Sequence, residues 1–221
     1  MVNRSVLFWS GGKDCMMALD KVLESKHANV AYLFTTYDEM TNRVPFHGIH
    51  IDLIKAQANS LRIPLLTVPL PHKPSNTEYQ DIIHKRFASI IDEGLNSVIF
   101  GDIFLEDLHV YRESLLNNTP LEASFPLWGE STSELTSNFL SLGYKAVICG
   151  IDTEALDENY LGKDFDEEFL LNLPSYVDPC GENGEFHTFT YTGPLFKETI
   201  HHEANLKPQS LFGKYKYIDL D

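Results

Sequence analysis

The apolar run Val6-Leu7-Phe8-Trp9 passes without a spacer into Ser10-Gly11-Gly12-Lys13-Asp14, and Met16, Leu19, Val22 and Leu23 then recur at helical spacing. A short strand, a glycine turn and a helix in this order constrain the fold more than any other stretch of the chain. Two adjacent glycines let the backbone curl tightly and come close to a ligand. Successive N–H groups in such a turn form an anion-binding nest, and the helix that follows adds unpaired N–H groups and the positive end of its dipole. The Ser10 hydroxyl can donate a hydrogen bond, and Lys13 can neutralise phosphate charge. Open α/β sheets bind ligands at the carboxyl ends of their strands, which is where this turn falls. The spacing fits neither GxxxxGK[ST] nor GxGxxG.

Alternation continues after the first unit. Strands are predicted at Ser5 to Trp9, Asn29 to Thr35, Leu65 to Val68 and Ser97 to Phe100, and helices at Asp14 to Ser25, Ile51 to Leu61 and Thr77 to Asp92. Pro64 stops the second helix; Thr77 and Gly94 suit the start and end of the third. Such a series predicts an α/β fold, a doubly wound, mostly parallel sheet with helices on both faces. Leu105 to Leu116 reads as a further helix, Leu121 to Leu127 as extended, Ser131 to Leu142 as a helix closed by Gly143, and Lys145 to Cys149 as a strand. The last seventy or so residues are richer in loops, glycine and proline. A boundary near residue 127 divides the chain into 1–127 and a smaller α+β domain, 128–221, with no flexible linker between tightly packed parts.

Charge and cysteines narrow the function. The 32 acidic and 17 basic residues give a net charge of −15, so the chain is a poor general nucleic-acid binder. Cys15, Cys149 and Cys180 form no CxxC pair, which excludes a zinc ribbon and suits free thiols in a reducing compartment. No stretch approaches the roughly 18 apolar residues of a membrane span. A cytoplasmic location follows as the expectation.

The second informative segment is Val177-Asp178-Pro179-Cys180-Gly181-Glu182-Asn183-Gly184-Glu185-Phe186-His187-Thr188. Asn183-Gly184 signals a turn, and Glu185 to Tyr191 alternates like a strand. In that register Glu185 and His187 share one face, with Phe186 and Thr188 on the other. Carboxylates and an imidazole beside a glycine turn can do acid–base chemistry, hold an ammonium ion or ligate a divalent cation; a polar solvated hairpin is the plainer reading. Asp102, after the fourth strand, suits Mg²⁺ or ribose, or a helix cap. His47 lies where a nucleotide base would sit, while Glu106, Arg112, His201 and His202 read equally well as solvated. No Lys or His adjoins Cys180 in sequence to activate its thiol.

SGGKD directly after an N-terminal strand resembles the signature of the PP-loop ATP pyrophosphatases of the adenine-nucleotide alpha-hydrolase superfamily. Together with Phe46-His47-Gly48, Gly101-Asp102, Pro126-Leu127-Trp128, GENGEFHT and Gly193-Pro194-Leu195-Phe196, it resembles the diphthine–ammonia ligase family over nearly the whole chain. The resemblance implies a Rossmann-like PP-loop domain whose Ser10, Gly11, Gly12, Lys13, Asp14, His47 and Gly101 bind ATP. It implies Mg²⁺ on Asp14 and Asp102, and catalytic Glu182, Glu185, His187 and Asp102, with Asp178 orienting them. The implied reaction adenylates a carboxylate, releases pyrophosphate, and forms an amide with ammonia and AMP. Implied partners are a small-molecule or protein carboxylate and ammonia, with neither membrane nor nucleic acid; a homodimer is left open. The family's basic stretch after the fourth strand is absent, and Gly129-Glu130 follows Trp128 where an arginine is expected. These departures resemble a bacterial branch, for which chemistry carries over better than substrate does. Two other readings stay open: a PP-loop enzyme adenylating a tRNA base, which lacks the basic surface it would need, and a nucleotide-binding protein without catalysis, for which the Glu- and His-bearing hairpin has no use.

Overall fold

A computed structural model describes residues 3–25 and 28–220. Five parallel strands form the first sheet: β1 (Asn3–Phe8), β2 (Ala28–Asp38), β3 (Leu65–Leu70), β4 (Ser97–Ile99) and β5 (Glu122–Ser124), in the order β3-β2-β1-β4-β5. Helices α1 (Lys13–Ser25), α2 (Ile51–Leu61), α3 (Asn76–Asp92) and α4 (Glu106–Ser114) connect them. Central strands of a parallel sheet are buried on both faces, and successive residues go to opposite sides. Leu7, Leu33 and Ile99 accordingly pack with α1 and α2, while Val6, Phe34 and Val98 pack with Ile83, Phe87 and Ile90 of α3. The sheet is doubly wound, as the alternation predicts.

Some boundaries differ from the sequence expectation for local reasons. Ser75, not Thr77, starts α3, because Ser75 and Glu78 form a capping box. The extended stretch after residue 121 is only three residues of strand before the chain turns at Phe125.

The rest of the chain adds α5 (Thr132–Ser141), β6 (Lys145–Asp152), α6 (Glu167–Asn172), β7 (Phe186–Thr192), β8 (Ala204–Phe212) and β9 (Tyr215–Leu220). Its four strands make an antiparallel sheet in the order β7-β6-β9-β8. The β8–β9 pair lies where the sequence suggested loops; His201 is exposed as expected, but His202 packs against the rings of Phe189 and Tyr191. One continuous core joins the two sheets: Leu7, Met16 and Leu19 lie in the same cluster as Leu135, Phe139, Phe165, Phe186 and Phe189. Tyr144 donates to Asp20 at 2.6 Å across this junction. No helix among the described residues is long and apolar enough to cross a membrane.

Candidate active site

Strand order reverses between β1 and β4, so the loops after these strands flank the crevice where doubly wound sheets bind ligands. The loop after β1 is Trp9 to Gly12, and the loop after β4 carries Gly101 and Asp102. Gly11 has φ +85°, and a Cβ there would lie 2.6 Å from Ile54 Cδ1, so only glycine fits. Gly101 lets the β4 loop touch the start of α1; a Cβ on it would come 3.2 Å from the Asp14 and Cys15 backbone.

The segment 178–190 lies directly on the glycine loop. Lys13 N donates to Thr188 Oγ1 at 3.0 Å, and Thr190 N donates to the Gly11 carbonyl at 2.9 Å. Gln57 of α2 closes the junction: its Nε2 donates to Gly11 O at 3.0 Å and to Thr190 O at 2.6 Å, while its Oε1 accepts from Trp9 Nε1 at 2.8 Å. Gln57 is wholly buried, and sequence reasoning missed it. The available signal was an amide on the apolar face of α2, three residues beyond Ile54.

Lys13 is 3% exposed, and its ammonium group is turned inward. Nζ donates to both Asp14 oxygens at 2.9 Å and to the Cys180 carbonyl. Burial alone would lower the Lys13 pKa, but Asp14, with help from Glu182, holds it above its ordinary value. The Asp14 side chain keeps about a third of its exposure, at 34%. The Cys180 thiol is pushed up to about 12 by burial, so it stays protonated and donates to Thr132 O.

Asp178 and Glu185 shape the loop rather than face the crevice. Asp178 Oδ1 accepts from Cys180 N and Glu182 N at 2.8 and 3.2 Å, and its Oδ2 accepts from Thr132 Oγ1 at 2.8 Å. Glu185 is buried, and its Oε1 accepts from Asp178 N and Asn183 Nδ2, both at 3.0 Å. The expected shared face of Glu185 and His187 is therefore not used: Glu185 precedes β7 and turns back into its own loop, while His187 packs on His47 with ring centroids 4.5 Å apart.

The imidazole pair adjoins Gly12, whose Cβ position is 3.3 Å from His47 Nε2. Burial lowers the His47 pKa to about 4, and burial together with His47 and the Lys13 charge takes His187 well below its ordinary value. Both rings are neutral at pH 7, so His187 is not the near-neutral base that the motif suggested. Glu182 occupies that range instead. Burial raises its carboxyl to about 7, although Ile103 N and Phe104 N donate to Oε1 at 2.7 and 3.3 Å and oppose the shift. A carboxyl raised on folding is favoured in its protonated form, so stability falls as pH rises from about 4.5 through 7. Glu182→Gln is expected to match the parent near pH 4.5 and to exceed it by about 3 kcal/mol at pH 8. Thermal midpoints across that range check this; a variant less stable than the parent at pH 8 would contradict it.

Asp102 is paired with Arg112. Arg112 Nε donates to its Oδ2 at 3.3 Å, and the guanidinium lies 5.3 Å from the Phe100 ring centre. Glu106 is exposed in the first turn of α4. Among the described residues, no group of three or more His, Cys, Asp or Glu is arranged to hold a metal ion. Mg²⁺ commonly uses one or two carboxylates with phosphate oxygens and water. Both carboxylates are paired, Asp14 with Lys13 through two oxygens at 2.9 Å and Asp102 with Arg112 at 3.3 Å, so either would take Mg²⁺ only on release of its partner; Asp14 is the more exposed, at 34% against 11%. For ATP, the Ser10 hydroxyl, 3.4 Å from Gly12 N, and the start of α1 suit phosphate oxygens, while the Cβ positions of Gly11 and Gly12 are filled by Ile54, Gln57, Thr188 and His47, and Lys13 would have to leave Asp14 and Cys180 to reach a phosphate.

Comparison with known proteins gives the same pairing of segments. Residues 3–121 match the family pattern of the diphthamide synthase N-terminal domain, and residues 131–216 match that of the diphthamide synthase C-terminal domain. The chain is 26% identical over 213 residues to the diphthine–ammonia ligase of Bos taurus, covering 86% of this chain and 79% of that protein. The Mus musculus diphthine–ammonia ligase is 29% identical over 240 residues, covering 96% and 88%. A solved chain described as a predicted subunit of tRNA methyltransferase from Methanocaldococcus jannaschii aligns over 72% of this chain and 84% of its own, with 18% identity and a TM-score of 0.40. With both domain patterns matched in order along one chain, the protein belongs to the diphthamide synthase family.

Proposed function

We propose that the chain is an ATP-dependent ligase that joins a carboxylate to ammonia, as the diphthine–ammonia ligases it resembles are named to do. The observation that carries the reading is the direct seating of 178–190 on the glycine loop, through Lys13 N to Thr188 and Thr190 N to Gly11. A protein that only held a nucleotide would have no need of a buried carboxyl titrating near pH 7 at that junction. Residues 1–127 would carry the nucleotide and 128–221 the substrate-side groups.

ATP would supply the activation, making a carboxylate electrophilic as pyrophosphate departs. Ser10, Gly11, Gly12 and Lys13 would hold the two terminal phosphates, with Asp14 taking Mg²⁺ beside them. His47 and Gly101 would line the nucleotide side. His187, neutral and packed on His47, would shape the pocket and exclude water. Glu182 would accept a proton from ammonium, which at pH 7 must lose one before its nitrogen can attack. Glu185 and Asp178 would hold the Glu182 loop in place, and Asp102 would orient Arg112.

Binding the terminal two phosphates leaves the α-phosphate as the reacting centre. Turnover with a substrate-bearing extract and ammonium should therefore give AMP and pyrophosphate. ADP and free phosphate as the main products would sink the reading in favour of kinase-like chemistry.

A further inference from the structure

We infer that the cage now filled by the Lys13 side chain is the binding site for the ammonium ion, formed by the Phe165 and Phe186 rings, the Cys180 carbonyl and the Asp14 carboxylate. This rests on the ligase reading and adds to it the place where the second substrate sits.

The Lys13 ammonium group serves as the stand-in. Its three N–H donors are all spent inside the protein, two on Asp14 and one on the Cys180 carbonyl. It also lies 5.8 Å from the Phe165 ring centre and 5.5 Å from that of Phe186, within the range in which an aromatic face attracts a cation. Both rings are 1% exposed and are fixed by the core, packing on each other and on Phe169. In this arrangement Lys13 has no donor left for phosphate. To neutralise a phosphate it must swing out, and what it leaves behind is a seat for one small –NH-bearing cation: a carboxylate and a carbonyl as acceptors, and two π faces.

The surroundings complete the chemistry. Glu182 lies two residues beyond Cys180, whose carbonyl lines the seat, and Asp178 Oδ1 holds the two together by accepting from Cys180 N at 2.8 Å and Glu182 N at 3.2 Å. An ammonium ion in the seat would pass one proton to the Glu182 carboxylate. The freed lone pair on nitrogen would form the C–N bond to the activated carbonyl carbon as the C–O bond to AMP breaks, AMP leaves with the bonding electron pair, and the surplus proton on the new amide nitrogen passes to water. Placing the cation at the loop lysine's resting position also orders the events, since the seat opens only when Lys13 is drawn to phosphate.

Lys13→Ala opens the seat without nucleotide. Its thermal midpoint should rise by roughly 3–5 °C with ammonium or methylammonium chloride beyond the effect of equal potassium or tetramethylammonium chloride. Adding Phe186→Leu should remove most of that difference. In the parent protein the ammonium-specific rise should be absent alone and appear with a non-hydrolysable ATP analogue. Equal responses to ammonium and potassium in Lys13→Ala overturn the proposal. Should that variant not fold, the parent with analogue decides, and no ammonium-specific rise there overturns it. Calorimetry of the analogue separates the two ideas: binding without any ammonium effect leaves the ATP reading standing and removes the seat, whereas an ammonium effect in Lys13→Ala without analogue binding does the reverse.

Discussion

Lys13→Ala is expected to weaken ATP binding by about 1.5–3 kcal/mol, the loss associated with one charge-assisted hydrogen bond, or roughly a 10- to 150-fold rise in Kd. Lys13 is the cation of the glycine loop, and its backbone is already fixed by Thr188, so the loop shape should survive the change. The cost to stability should be smaller than the cost to binding. Alanine leaves Asp14 without its ion pair, but that carboxylate is a third exposed and water can solvate it. The apolar stem of Lys13 is lost from a small crevice between α1 and α5 lined by Met17, Leu127, Leu135 and Phe139, which costs packing but creates no unpaired buried charge. Isothermal calorimetry with ATP and Mg²⁺ measures the first quantity and urea unfolding the second. Parental affinity in a folded variant would place the nucleotide somewhere other than this loop.

The parallel half of the fold was legible because its strands are short apolar runs and its helices carry one apolar face, so both periods stand out in Val6 to Trp9 and in Met16 to Leu23. The β8–β9 pair was not, since its members alternate less clearly and are paired mainly with each other and with β6. At the site, the tight turn at Gly11 was legible, because backbone shape there is dictated locally and φ is +85°. Roles within GENGEFHT could not. Whether Glu182 or Glu185 faces the crevice depends on which backbone N–H groups each meets, and those belong to Ile103, Phe104 and Asp178, two of them some eighty positions away. The His187 environment is hidden for the same reason: its packing on His47 brings together residues 140 positions apart, and burial lowers its pKa. The pairing of Asp102 with Arg112 was likewise hidden, since it depends on how α4 carries Arg112 back toward the end of β4.

Gln57→Leu is expected to be the most damaging single change outside the motifs, lowering stability by about 3–5 kcal/mol. The side chain is fully buried and makes three hydrogen bonds, to Gly11 O, Thr190 O and Trp9 Nε1. Leucine fills similar space but strands polar groups where no solvent reaches, at roughly 1–3 kcal/mol each. Gly11 O suffers least, since Thr190 N still donates to it. The consequence for ATP follows from peptide geometry. Across the planar trans peptide between Gly11 and Gly12 the C=O and N–H point in opposite directions. Two donors holding the Gly11 carbonyl thereby fix the direction of the Gly12 N–H, which donates to Ser10 Oγ at 3.4 Å in the loop where we propose the phosphates bind. Releasing one donor lets that peptide rock, so ATP affinity should fall about tenfold even at temperatures where the variant is fully folded. Gln57→Glu separates the causes. It can still accept from Trp9 but cannot donate to either carbonyl, so it should reproduce the loss of ATP affinity, and its buried charge should make stability fall further as pH rises through its titration. Urea midpoints and ATP calorimetry on both variants measure the two effects. Folded Gln57→Leu with parental ATP affinity would show that the loop holds its shape without the amide, and that Gln57 serves packing alone.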